Sequence, residues 1–310
     1  MSLETSIDQY AKEDWWTFDT NGLSELIKLC LAGEQAKVNR FIEGQFVLIT
    51  LPNLVELYKA AYLLEQLPSV FEAAAYAGVT TQTLAFFRKD LLKALGLGSS
   101  GIDPNPLGLF ELTPEFANRL PEHEPFKRAV RETDERVRKE FRHKVEKDIG
   151  SGIHAADMYI HAQWAIGNHI DAILGKGMGD SLPRVAVPKT PEVFPTKYCY
   201  DFTYYFLYCT DASAKCYVND FNDLELTLAA SICQRFYTER RLAYALRQVK
   251  NYSLPSERQV RDRFYRITKP ERTRSERRKL TKGLSSVCPR LLQTTEVFSL
   301  TDLRHHLGAQ

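Results

Sequence analysis

Gln45-Phe46-Val47-Leu48-Ile49-Thr50-Leu51 is the stretch that most limits what this chain can fold into. It has strand length and no alternation of apolar with polar positions, so both of its faces must be covered. Burial on two sides is the mark of a parallel strand with helices above and below the sheet. Upstream, Trp15-Trp16-Thr17-Phe18 reads as a second such strand, and Leu23, Leu26, Ile27 and Cys30 recur after it at helical spacing. The intervening helical run supplies the crossover that parallel pairing requires. Arg235 to Glu239 and Glu296 to Leu300 read as two more strands, the second opening a last helix from about Thr301. The expected class is therefore α/β, with a parallel sheet of about four to five strands flanked by helices.

The 310 residues are 44% hydrophobic and 26% charged, an ordinary composition for a soluble globular protein that excludes disordered and fibrous classes. The first fourteen residues are polar and acidic, and no apolar run approaches the ~18 residues of a membrane span, so a soluble, cytoplasmic protein without membrane partners is expected. Six cysteines are scattered with no Cys-x-x-Cys pair, which reads as buried free thiols in a reducing compartment. A net charge of +2 conceals an asymmetry, because residues 231–310 hold 18 lysines and arginines against seven acids. That end is suited to a polyanion.

Between the second and third strands the chain reads as mostly helical. Helical patterns run from Leu67 to Leu95, Gly96 to Gly108 is a loop, and Thr113-Pro114-Glu115 starts another helix. Pro125 to Asp148 has an apolar stripe among charges, and Gly175 to Pro195 reads as a connection. The helix from Ile153 to Leu174 carries His154, Asp157 and His161, with the two histidines seven apart on one face. Satisfied core histidines are the plainer reading, and a separate metal-hydrolase site the sharper one. The aromatic run Tyr198 to Cys209 reads as a buried helix, whose tyrosines serve core packing rather than base stacking.

Carboxylates recur at the boundaries of these elements. Asp19 follows the first strand, Glu56 lies in the first turn of the helix after the second, and Asp220, Asp223 and Glu225 crowd the start of a later helix. Glu239 ends the strand that follows. In a parallel sheet all of these fall at one edge, where ligands bind. Crowded carboxylates raise one another's pKa unless a cation neutralises them, and hard oxygen donors select Mg²⁺ or Mn²⁺. An acidic pocket with a basic segment points to metal-assisted phosphodiester hydrolysis.

Phe18-Asp19-Thr20-Asn21, Leu54-Val55-Glu56-Leu57, Asn219 to Glu225 and Tyr237-Thr238-Glu239 together resemble, in order, the acidic signatures of PIN-domain (PIN-like) ribonucleases. The resemblance covers about 140 residues. It implies a PIN-like core at 1–75 and 196–310 with a mainly helical insertion at 76–195. It implies a metal-dependent endoribonuclease in which Asp19, Glu56 and Asp223 bind one or two Mg²⁺ or Mn²⁺ ions, with Asp220 and Glu225 able to share the role of Asp223. Thr20 and Asn21 are then expected to position the Asp19 carboxylate or its water. Many bacterial members are toxins held by an antitoxin protein, so such a partner, and a homo-oligomer, are among the implied assemblies. The pattern departs from the family at Glu239, where an aspartate is usual, and Arg240 and Arg241 follow it. Those arginines leave a second possibility, a catalytically degenerate module that binds nucleic acid or protein.

The basic stretch from Ser256 to Lys282 interleaves arginines with Phe264 and Tyr265. Arginine forks fit phosphates and the rings offer stacking faces, so Arg258, Arg261, Arg263, Arg266 and Lys279 are candidate contacts to RNA or another single-stranded nucleic acid. Lying between the third and fourth strands of this reading, the stretch is expected near the acidic edge.

Overall fold

The computed structural model describes residues 15–58, 60–70, 75–79, 109–110, 137–174, 191, 195–217 and 219–308. The loop at 96–108, the Thr113-Pro114-Glu115 cap, the first part of the helix expected from Pro125 and most of the connection at 175–195 lie outside them.

The chain begins with β1 (Trp15–Phe18), α1 (Thr20–Leu31), α2 (Gln35–Ile42), β2 (Phe46–Thr50), α3 (Leu51–Tyr58) and α4 (Ala61–Val70). Then come β3 (Ala75–Val79), β4 (Leu109–Phe110), α5 (Arg138–Asp148) and α6 (Ala155–Leu174). α7 (Pro195–Tyr204) runs on into a wider π-helical turn at Tyr205–Cys209. The last part is α8 (Asp220–Ala230), β5 (Arg235–Thr238), α9 (Arg240–Asn251), α10 (Glu257–Thr268), α11 (Arg274–Leu280), β6 (Glu296–Ser299) and α12 (Leu300–Gly308).

The strands form one sheet in the order β4-β3-β2-β1-β5-β6. All pairings are parallel except that of the two-residue β4 with β3. β1 sits at the centre, with Trp16 opposite Val47 on one side and Arg235 on the other. All residues of β1 and β2 are buried, as their unbroken apolar runs require.

β3 corrects the expectation of helical patterns from Leu67 to Leu95 at Ala75–Val79, while residues 80–95 lie outside the described residues. Alanine favours helices in isolation, but propensity is a weak prior. Here the register Phe46↔Ala75 through Thr50↔Val79 places the segment alongside β2. The core sheet therefore continues past residue 75 into the stretch expected to be insertion.

Side chains alternate between two cores. Trp16 and Phe18 of β1, Val47 and Ile49 of β2, and Tyr237 of β5 face α1, α2, α3, α4 and α12. On that face Phe18, Tyr237 and Phe298 are direct neighbours across three strands and stack at centroid distances of 5.1 and 5.0 Å. Phe236 and Val297 point the other way, into a core shared by α5 to α9. Tyr198, Tyr204 and Tyr208 are buried there, so the aromatic run is packing, as expected. Helices α5 and α6 share this second core with α7, α8 and α9.

Cys199, Cys209 and Cys233 are buried free thiols, while Cys288 is exposed, against the expectation. Among the described residues no helix is long and apolar enough to cross a membrane.

Candidate active site

β1, β2 and β5 all end at one edge of the sheet, and a crossover helix that returns antiparallel to a strand starts at that same edge. Asp19 directly follows β1, Glu56 lies in α3 after β2, Asp223 lies in the first turn of α8, and Glu239 directly follows β5. The electrostatics agree with the topology, since Glu239, Glu56 and Asp19 all press on the carboxyl of Asp223.

Asp19 is the N-cap of α1 and only 1% exposed. Its Oδ1 accepts from the Gly22 backbone N–H at 2.6 Å, and its Oδ2 accepts from Thr238 Oγ1 at 3.0 Å and from the Glu239 N–H at 2.7 Å. One carboxylate thus closes the start of α1 and ties the end of β1 to the end of β5. A carboxylate has about four lone-pair positions, so a further acceptor position remains on Oδ1. The close approach depends on Gly22, where an added Cβ would stand 3.2 Å from Oδ1. Three hydrogen bonds favour the ionised form, yet burial outweighs them and raises the pKa of Asp19 to about 6.

Of the expectation that Thr20 and Asn21 position this carboxylate or its water, the contact to the carboxylate is not met. Thr20 Oγ1 instead accepts from Asn53 Nδ2 at 3.4 Å, and Gly22, Thr238 and Glu239 do the holding.

Asn53 organises the neighbouring strand end. Fully buried, it accepts from the Thr50 N–H at 2.9 Å and from Thr50 Oγ1 at 2.8 Å, while its Nδ2 donates to the Phe18 carbonyl at 3.2 Å. It fastens the tip of β2 to the tip of β1. Three residues on, Glu56 Oε1 accepts from Asn222 Nδ2 at 2.8 Å, a link across 166 positions of sequence that orients Glu56 beside the start of α8. Neither asparagine is singled out by sequence reasoning. The available signal was position, Asn53 one helical turn before Glu56 and Asn222 directly before Asp223.

Asp223 is raised to about 8, first by burial and then by Glu239, Glu56, Asp19 and Asp220. Glu239 is also raised by burial, and Arg241 offsets part of that rise.

Two expected members of the cluster are committed elsewhere. Asp220 is 4% exposed, and Arg241 Nη1 reaches both of its oxygens at 2.8 and 2.9 Å. Its Oδ2 also accepts from Tyr208 Oη at 2.7 Å and from the Tyr217 N–H at 2.8 Å. That network fixes the start of α8 and leaves Asp220 a neighbour of the site, not a donor to it. Glu225 lies two residues beyond Asp223, about 200° round the helix, and faces Tyr200 of α7. Among the described residues no three His, Cys, Asp or Glu side chains stand close enough together to hold a metal ion as placed.

The histidine pair makes no separate site. His154 Nδ1 accepts from the Ala156 N–H at 3.1 Å, capping α6, and His161 is exposed. Asp157 is held by Arg263 through two bonds of 2.7 and 2.6 Å.

The basic stretch also lies elsewhere. α10 packs on α6, and Arg258, Arg263 and Arg266 line a groove together with Tyr252, which directly follows α9. Glu239 is at the other end of α9, whose 12 residues span about 18 Å. Leu254 donates to Pro289 just ahead of β6, toward the amino ends of the strands, so the expectation of a basic wall at the acidic edge is corrected. Arg261 and Lys279 are on α10 and α11 without lining the groove.

Compared with known protein families, curated proteins and solved structures, the chain matches none.

Proposed function

We propose that this chain is a metal-dependent nuclease of PIN-like architecture that hydrolyses RNA phosphodiester bonds, with Asp19, Glu56, Asp223 and Glu239 as its donors. One observation carries the reading. Carboxylates from four separate points in the chain meet at one sheet edge, where burial and mutual repulsion hold Asp19 near 6 and Asp223 near 8. Such a set is costly in folding terms unless a cation offsets it.

The donor set suits Mg²⁺ or Mn²⁺ in its chemistry, being all oxygen and all carboxylate. Its geometry requires closure, because no three of the side chains are within coordinating distance as placed. Glu56 and Glu239 are the longer, part-buried members and have the reach to close it. A bound ion would supply an activated water and charge stabilisation at the phosphate. Asp19 is held by its three hydrogen bonds, Asn222 aims Glu56, and a bound cation would offset the burial and repulsion that raise the carboxyl of Asp223.

The Arg241–Asp220 ion pair beside the acids favours a second reading, a non-catalytic binding module on the same scaffold. Cleavage of an end-labelled RNA with Mn²⁺ or Mg²⁺ separates the two. The nuclease reading expects metal-dependent cleavage that Asp19→Asn lowers at least ~100-fold while the circular dichroism spectrum is kept. A parent protein that binds the RNA but cleaves nothing with either metal refutes it and leaves the module.

A further inference from the structure

The groove between α6, α10 and α11 has no part in the acid site. It encloses about 790 Å³, open to solvent, within the range of ligand sites. Arg258, Arg263, Arg266, Arg274 and Arg278 line it, against Asp262 as the one lining carboxylate. These arginines differ in their commitments. Arg263 is held by Asp157 and Arg266 by Asp262 at 3.0 Å. Arg258, Arg274 and Arg278 make no side-chain hydrogen bond or ion pair among the described residues, and all three are exposed.

Two further features favour an anion there. Gly152 to Ala155, at the start of the 20-residue α6, lie in the groove wall, so the positive end of a long helix adds to the arginine field. Tyr205 and Tyr252, both part-buried, also line it and give aromatic surface beside the charge. Guanidinium forks in an open channel with tyrosines in its wall match a phosphate backbone carrying unpaired bases.

We infer that this groove is a second nucleic-acid site, one that holds the phosphates of single-stranded RNA on Arg258, Arg274 and Arg278, at the end of α9 away from the acidic edge. The choice of RNA as ligand rests on the nuclease reading above; the anion site itself does not.

Fluorescence anisotropy with a 5′-fluorescein-labelled 20-nucleotide oligouridylate in EDTA, across a salt series, tests the site. The double substitution Arg274→Ala/Arg278→Ala changes two exposed side chains of α11, and circular dichroism and melting check that the fold is kept. Affinity is expected to fall roughly tenfold, with the slope of log K against log salt shallower by about 1.4, the value for two phosphates of a single strand. Arg258→Ala, on α10, is expected to shift both in the same direction.

Unchanged affinity and slope in the arginine variants overturn the proposal, as does failure of the parent to bind. Displacement of the RNA by equimolar tripolyphosphate also overturns it in favour of a small polyphosphate ligand, and equal competition by polyglutamate in favour of a general polyanion surface. If the arginine variants lose affinity while the parent cleaves nothing with Mn²⁺ or Mg²⁺, the groove stands and the nuclease reading falls. If they bind normally while Asp19→Asn abolishes cleavage, the reverse holds.

Discussion

Replacing Asp19 by Asn removes a buried charge while keeping the shape of the side chain, and its effect on stability depends on pH in a way the structure sets. Asp19 moves from its ordinary 3.8 to about 6 on folding, chiefly through burial. Between those values the folded protein holds a proton that the unfolded chain has released, so the parent loses stability as pH rises through the window. At 1% exposure there is little solvent to screen the effect, and it amounts to about 3 kcal/mol, reached in full by about pH 7. Asparagine does not titrate and escapes that loss. It also relieves Asp223, on which the charge of Asp19 presses.

The amide has a separate cost that does not vary with pH. Gly22, Thr238 and Glu239 all donate to the carboxylate, from both sides. Asparagine has one accepting oxygen, and a threonine hydroxyl can turn to accept, but one backbone N–H is left facing an NH₂ group at about 1–3 kcal/mol. The expected result is a variant less stable than the parent near pH 4 that gains on it by about 3 kcal/mol by pH 8. Urea unfolding in EDTA at intervals across that range measures the difference. Parallel curves would refute the argument that burial of an ionised Asp19 is costly, whatever their offset.

Three other substitutions test neighbouring parts. Arg241→Ala leaves the buried Asp220 without its cation and is expected to cost about 3–5 kcal/mol in urea unfolding, most of it recovered in Arg241→Ala/Asp220→Asn; a loss below 1 kcal/mol would show the pair to be dispensable. Asn53→Ala removes the link between the tips of β1 and β2 and is expected to destabilise by about 2–3 kcal/mol, read from the shift of the denaturant midpoint at constant m-value. Asn222→Ala frees Glu56, and Mn²⁺ affinity measured by calorimetry is expected to weaken at least tenfold while stability changes by under about 1 kcal/mol. An unchanged metal affinity would mean that Asn222 does not orient a ligand.

The parallel strands whose apolar runs declare two-sided burial were readable without coordinates, because period and length are local properties. β1 and β2 fall where those runs are, and β5 and β6 fall on the shorter stretches read as strands at Arg235 to Glu239 and Glu296 to Leu300. β3 was not readable, since Ala75-Tyr76-Ala77-Gly78-Val79 is short, mixes alanines and a glycine with two strand-favouring residues, and is fixed as a strand by its pairing with β2. The acid positions were legible because a parallel sheet sends strand ends and return-helix starts to one edge. Which acids face one another was not. Asp220 and Asp223, three apart, share a helix face, but the claim of Arg241 on Asp220 is a contact across 21 positions that no local pattern announces. Asn222 reaching Glu56 is likewise a matter of tertiary contact. The basic stretch was misplaced for a related reason: order along the chain locates a segment between strands without saying which end of the intervening helix it adjoins.

The central position of β1 sets the order in which the molecule can be completed. Its partner on one side, β2, follows within about 30 residues, but its partner on the other, β5, begins at Arg235, more than 200 residues later. At ~5–20 residues per second of synthesis, the open side of β1 waits roughly 10–40 s on the ribosome. Thr238 and Glu239, which grip the Asp19 carboxylate, arrive with β5. The acid edge is therefore assembled only after most of the chain has emerged, and a nascent or truncated product lacking β5 carries Asp19 without Glu239 and without the Thr238 and Glu239 groups that hold its carboxylate.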